Sequence, residues 1–430
     1  MHKGTAILTA LLLAGACGDD APDETDRLPC IEEGCTVLQT FTGESAGDFF
    51  GWVTADVGDI DGDGAHDLMI GAPFSTAGGD AAGRAYLYSG RTGAGLLTLT
   101  GSAGDILGET VGAGGDVDGD GVPDLLAGGP GLGDDQAAGR AAVFSGQTGD
   151  IVHSFAGASS LDHVGAALAG LGDVDGDGKG DFLVGAPGAD ATGTLTLHSG
   201  ADASAIYTLA GEEPGDRFGN AAGVIGDLDG DGVSDFAVSA VEAGPGGRGR
   251  VYVHSGVDGA PLLPPLEPDA TSRELGFLFV GGAGDVDGDG APDIYATDFN
   301  DSGGGNGSGA AYVYSGATGE RLLTLRGAVG EALGLGHAQV GDVDGDGSDD
   351  LLIGAGTSSS GAARAGRAYV FSGRDGAVLR TMTSSIPGEG LGFDANGMGD
   401  VDGDGHVDFL ISAAQNDGNR GRVYLIAGEP

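Results

Sequence analysis

Seven times along the chain nine residues recur as Asp-x-Asp-Gly-Asp-Gly-x-x-Asp, beginning at Asp59, Asp116, Asp173, Asp227, Asp285, Asp342 and Asp400. Four carboxylates this close repel one another unless a cation sits among them, and the glycines let the chain curl around it. Hard oxygen donors on a tight turn suit Ca²⁺, which accepts about six to eight oxygens in tolerant geometry. Mg²⁺ demands an octahedron and keeps its water, so it is second choice; softer metals would want Cys or His. Side-chain ligation is assigned to positions 1, 3, 5 and 9 of each loop. The carboxylates are Asp59, Asp61, Asp63 and Asp67; Asp116, Asp118, Asp120 and Asp124; Asp173, Asp175, Asp177 and Asp181; and Asp227, Asp229, Asp231 and Asp235. The last three loops supply Asp285, Asp287, Asp289 and Asp293; Asp342, Asp344, Asp346 and Asp350; and Asp400, Asp402, Asp404 and Asp408. A position-7 backbone carbonyl completes each set, from Ala65, Val122, Lys179, Val233, Ala291, Ser348 and His406. Up to seven Ca²⁺ ions are expected. An EF-hand would instead want a Glu at position 12 and flanking helices; position 12 of the first loop is Ile70.

The other residues capable of chemistry are scattered. His66 and His406 lie inside the acidic loops at positions whose side chains are not expected to ligate, and His198 and His254 occupy a slot held elsewhere by Tyr88, Phe144, Tyr314 and Phe371. His153, His163 and His337 recur in no pattern. The Ser-Gly pairs, such as Ser89-Gly90 and Ser145-Gly146, read as turns rather than nucleophile elbows. Trp52 is the only tryptophan and is expected in the core. No catalytic residue is assigned.

Seven loops need seven equivalent supports. Successive loops begin 57, 57, 54, 58, 57 and 58 residues apart, a period that means a solenoid, a propeller or an array. A Gly precedes each loop, and each loop runs into an apolar stretch such as Leu68-Met69-Ile70-Gly71-Ala72-Pro73. A variable Gly/Ala/Asp-rich stretch follows, then segments such as Arg84-Ala85-Tyr86-Leu87-Tyr88, a turn, and Leu96-Leu97-Thr98-Leu99-Thr100. These are short β-type runs between glycine turns, about four per unit. The expected fold is all-β: a seven-bladed β-propeller of four-stranded antiparallel blades. The C-terminus stops after the third strand of its unit, and residues 36–43 match the missing fourth, so an N-terminal strand is expected to close the last blade. Blades are expected near residues 47–103, 104–160, 161–214, 215–271, 272–329 and 330–387, with the seventh formed by 388–430 plus 36–43.

Composition agrees with a repeat. The 430 residues include 92 Gly, which would suggest low complexity were it not periodic, and 40% hydrophobic residues, too many for a solvated acidic tail. With 18 basic against 65 acidic residues the net charge is -47, which argues against nucleic acid and against docking to anionic lipid. The first 16 residues carry His2 and Lys3 and then an uncharged apolar run over 5–16, the length of a secretory signal rather than a membrane span. Their end, Ala14-Gly15-Ala16-Cys17, resembles the lipobox of bacterial lipoprotein signals, which implies cleavage before Cys17 and a lipid on it; an ordinary secretory signal is the alternative. Residues 17–35 read as an acidic tether, with Cys30 and Cys35 expected to form a local disulfide after export.

The repeat unit resembles the FG-GAP repeat of integrin α-subunits and of many exported bacterial proteins. Phe50-Gly51 carries the FG element and Gly71-Ala72-Pro73 the GAP element; other units drift, as in Leu107-Gly108, Ser239-Ala240-Val241 and Ala296-Thr297-Asp298. The resemblance covers residues 36–430 and implies calcium in the loop between the first two strands of a blade, with ligands met on the opposite face. The variable stretches 74–82, 188–192 and 299–308 would build that face. The expected function is a calcium-binding, lipid-anchored, monomeric module at the bacterial cell envelope that adheres to an extracellular protein or glycan, touching membrane only through its anchor. A propeller-fold hydrolase or lyase acting on carbohydrate, and a purely structural envelope component, are the alternatives.

Overall fold

The computed structural model describes residues 35–131 and 137–428. The expected signal segment, Cys17 and Cys30 lie outside the described residues. Cys35 is disulfide-bonded, and its partner also lies outside them.

The first unit shows how sequence becomes blade. Strands β2 (Thr54–Gly58), β3 (Asp67–Ala72), β4 (Arg84–Tyr88) and β5 (Gly95–Thr100) pair antiparallel in that order. All six residues of β3 are buried, because each face of the blade packs on a neighbouring blade; hence its continuous apolar run instead of an alternating one. Seven such sheets form. Their innermost strands are β2, Thr110–Gly115, Leu168–Gly172, Phe218–Gly226, Val280–Gly284, His337–Gln339 and Ala395–Gly397. Each touches the next, and the last touches β2, so the ring is closed around a central channel. The seventh blade is completed by β1 (Val37–Thr42), hydrogen-bonded along Arg422–Ile426 as expected. Among the described residues no helix is long and apolar enough to cross a membrane.

One blade departs from the expected four strands. The fourth sheet has three, and its outer segment meets the third strand only through bridges at Pro261 and Leu266. Pro261, Pro264, Pro265 and Pro268 crowd this segment and remove the N–H donors that a continuous ladder would need.

The hydrophobic core is a set of interfaces between blades. Leu68, Ile70 and Tyr86 of the first blade join Val423, Leu425 and Met398 of the last, and equivalent clusters fill the other junctions. The FG and GAP glycines sit where adjacent blades come closest. A Cβ on Gly71 would lie 2.1 Å from the Gly108 carbonyl oxygen, and one on Gly108, itself at φ +89°, would lie 2.2 Å from the Arg84 carbonyl oxygen. Gly108→Ala therefore adds left-handed strain to a backbone clash. We expect a loss of about 3 kcal/mol or more in denaturant unfolding; a change within about 0.5 kcal/mol would show the junction to be soft.

Candidate metal centres

The acidic loops connect the first and second strands of each blade and so gather at one end of the channel. Positions 4 and 6 are glycines with positive φ, as at Gly62 (77°) and Gly64 (85°), which lets the chain turn back over its own carboxylates. The first aspartate accepts the position-6 N–H in every loop, at 2.9–3.0 Å. The third-position carboxylate accepts the position-5 N–H at 3.0–3.1 Å. The fifth accepts the position-7 N–H at 2.8–3.0 Å, which places Ala65, Val122, Lys179, Val233, Ala291, Ser348 and His406 identically.

Carboxylate oxygens consequently converge. One oxygen from each of Asp59, Asp61 and Asp67 lies within 4.8 Å of the others, as do those of Asp116, Asp118 and Asp124 and of Asp173, Asp175 and Asp181. In the fourth and fifth loops the converging sets are Asp227, Asp229 and Asp231 and Asp285, Asp287 and Asp289. The donors are all hard oxygens on short, preshaped turns, a set that fits Ca²⁺ better than a thiophilic or imidazole-seeking metal. Loop five deviates in one detail: Asp285 Oδ1 is buried without a hydrogen-bond partner, and its backbone N–H donates to Asp349 Oδ2 at 2.9 Å.

The ninth position does something the linear pattern does not show. Asp67, Asp124, Asp181, Asp235, Asp293, Asp350 and Asp408 have no exposed surface. One oxygen of each accepts the position-2 N–H at 2.7–2.9 Å. The other accepts, at 2.9–3.1 Å, the N–H of a glycine after the third strand: Gly90, Gly146, Gly200, Gly256, Gly316, Gly373 or Gly428. In six blades that glycine belongs to a Ser-Gly pair, and in the last to Ala427-Gly428. Burial pushes all seven carboxyls up, that of Asp293 to about 6. Each thus pins its loop to the neighbouring turn whether or not a cation is bound. Asp67→Asn would set an amide N–H against an N–H donor, so we expect about 2–4 kcal/mol of destabilisation even in chelator. Asp61→Asn, at an exposed carboxylate, should cost under about 1 kcal/mol there; equal losses for the two in chelator would refute the distinction.

Five of the histidines have partners within the propeller. His153, His163, His198 and His254 lie 2.7–2.9 Å from backbone carbonyls, and His198 and His254 stack on Phe182 and Phe236. His66 pairs with Asp56 at 2.7 Å. Trp52 is not sealed in the core as expected. It is half-buried on the wall of the channel, a cavity of about 510 Å³, and packs against Phe49, Phe74 and Phe393. Phe277, Phe299 and Leu335 belong to the same apolar cluster, at the end away from the acidic loops.

At that end the ring is also tied by a buried acid. Asp394 of the last blade accepts the Thr54 N–H at 2.6 Å and its hydroxyl at 2.9 Å, beside Asn396, whose amide donates to the Thr54 carbonyl. Burial pushes the Asp394 carboxyl up to about 7, against hydrogen bonds that oppose the shift. The folded value lies above the unfolded one, so the native state holds more protons between pH 3.8 and about 7. Stability from this group is complete below that window and falls as pH rises through it. Asp394→Asn should remove a slope of up to about 1.4 kcal/mol per pH unit from unfolding free energies measured between about pH 5 and 7. Identical slopes for both proteins would show that Asp394 does not titrate there.

Comparison with known proteins places this geometry. The FG-GAP repeat family matches residues 51–88, 164–209, 337–371 and 394–426. The chain is similar to integrin alpha-V of Gallus gallus, 32% identical over 197 residues, which is 42% of this chain and 19% of that protein. It is 34% identical over 206 residues to integrin alpha-PS2 of Drosophila melanogaster, 42% of this chain and 14% of that one. Against integrin alpha-IIb of Homo sapiens it is 33% identical over 168 residues, 33% of this chain and 15% of the other. The alignments thus span less than a fifth of these curated relatives.

Proposed function

We propose, from the premise that this chain is an FG-GAP repeat propeller similar to integrin α-subunits, that it is a calcium-stabilised adhesion module whose recognition surface is the end opposite the acidic loops. The supporting observation is a division of labour between the two ends of the ring. At one end, seven loops share the same hydrogen-bond pattern almost without variation. At the other, the connections vary in length and the channel mouth is aromatic. Constant loops fit a structural cation at each of the seven sites, held by the aspartates at positions 1, 3, 5 and 9 and the position-7 carbonyl. Bound Ca²⁺ supplies charge neutralisation and fixes the loop; it performs no reaction. Variable loops fit contact with a partner, for which an extracellular protein or glycan is our reading, bound by a monomer.

The position of β1 sets how an anchored ring would be oriented. β1 enters at the acidic-loop end of the last blade, where the Thr36 carbonyl accepts the Ala427 N–H. A lipid on Cys17 would then hold the acidic loops toward the envelope and present the variable end outward. A glycan and protein array probed with the propeller, with and without calcium, tests the reading. A specific hit should weaken by about tenfold or more when the stretch 299–308 is shortened. Hits that depend instead on the acidic-loop face would reverse the assignment of surfaces.

A further inference from the structure

Resting on the calcium reading above, we infer that the seven sites are of two kinds, because in two blades an arginine of the chain itself occupies the flank of the metal loop. The turn after the third strand supplies the glycine that pins the ninth aspartate, and the residue after that glycine faces the loop. In the first blade this residue is Arg91, whose Nε lies 3.4 Å from Asp63 Oδ1. In the sixth it is Arg374, whose Nη1 lies 3.3 Å from Asp346 Oδ2 while Nη2 donates to the Asp346 carbonyl at 2.7 Å. Asp63 and Asp346 are the same position of the repeat, the fifth, and both belong to the expected ligand sets. Blades two to five carry Gln147, Ala201, Val257 and Ala317 there and the seventh unit has Glu429 in sequence, so none of these five brings a positive charge. The other cation in a loop, Lys179, has its side chain along Gly119 of the neighbouring loop, and among the described ion pairs it has none.

A guanidinium on the fifth carboxylate opposes the cation in two ways. It neutralises part of the negative charge that draws Ca²⁺ in, and it must shift or stay as a like charge a few ångströms from the ion. Both arginines are half-exposed, at 46% and 59%, so water and salt screen the effect and they can swing away. The expected penalty is therefore modest: about three- to tenfold in affinity at each of the two sites. In return, the pairs partly satisfy loops one and six when calcium is scarce, so these would be the last to fill and the first to empty.

Native mass spectrometry of the full chain at rising free calcium reads this directly, since each ion adds its own mass. Wild type should fill five sites first and two more at about three- to tenfold higher free calcium. Arg91→Ala together with Arg374→Ala should merge all seven into one class, each single substitution should leave one late site, and Arg91→Lys with Arg374→Lys should keep the split. A single cooperative melting transition in chelator, lowered by no more than a few degrees as the lost half-exposed pairs require, checks that the variants fold. Superimposable titrations of wild type and the double alanine variant would overturn the two-class assignment and leave the calcium reading standing. Absence of calcium binding at millimolar concentration would overturn both.

Discussion

Chelation should lower the melting temperature of the purified protein by about 20 °C or more, and added calcium should restore it. Each loop holds at least four carboxylates on nine residues, and the positions 1, 3 and 5 carboxylates face mainly water and their own backbone N–H groups. Removing a cation leaves that repulsion in the folded state, while the unfolded chain relaxes it by spreading out. By mass action one site stabilises the native state by about 2.7 kcal/mol at a hundredfold excess over Kd. Seven comparable sites would sum to nearly 20 kcal/mol, set against an unfolding entropy of about 0.8 kcal/mol per degree for a chain of this size. The loss should divide among blades, because each loop is closed within its own blade by its own ninth aspartate. Asp118→Ala should therefore remove about a seventh of the calcium-dependent increment. Differential scanning calorimetry in chelator, magnesium and calcium settles the point. Calcium should stabilise most and magnesium partially, and an apo protein that melts with the loaded one would refute a structural role for the metal.

The repeat makes most of the architecture legible in the sequence itself. Acidic loops at near-equal spacing imply equal blades, and apolar runs after each loop imply strands buried on both faces, as Asp67–Ala72 is. The closing strand was readable too, because residues 36–43 match the segment the last unit lacks. What stayed hidden lies in contacts between distant residues. The carboxylate of Asp67 and the N–H of Gly90 are 23 residues apart, and nothing in either short motif says that they meet. A signal was available, since a glycine follows the third strand in all seven units, but a Ser-Gly pair reads equally well as a plain turn. Trp52 beside an FG glycine looks like a core residue until the ring closes and turns it toward the channel. The weakened outer strand of the fourth blade was legible in principle from Pro261, Pro264 and Pro265, yet four-strand periodicity argued the other way and local chemistry prevailed. Arg91 and Arg374 are ordinary surface residues in a linear reading; only the turn geometry puts them on a metal loop.

Deleting residues 36–43 should have the largest effect of any short truncation, because it opens the ring. In a solenoid an end strand touches one neighbour, and its loss frays that end. Here β1 pairs with Arg422–Ile426 along its length and inserts Phe41 between blades, 5% exposed and 4.7 Å from Tyr88 of the first blade. Its removal uncovers Val423 and Leu425, which share a core cluster with Leu68 and Ile70. It also leaves an unpaired edge on an otherwise finished blade. Burying Phe41 alone is worth about 2 kcal/mol, and the ladder hydrogen bonds add to it. Opening also strips the inner tie between Asp394 of the last blade and Thr54 of the first of its support, since β1 completes the blade that carries Asp394. We expect the truncated protein to melt about 10 °C lower or more, with loss of the single sharp transition. We also expect it to elute as dimers or larger species, each offering its open edge to another copy. A synthetic peptide of residues 36–43 should bind the truncated protein and recover part of the lost stability, because ring closure by this strand is non-covalent. A monomer with wild-type melting after truncation would mean that the inner contacts alone hold the ring, with β1 only lying against it.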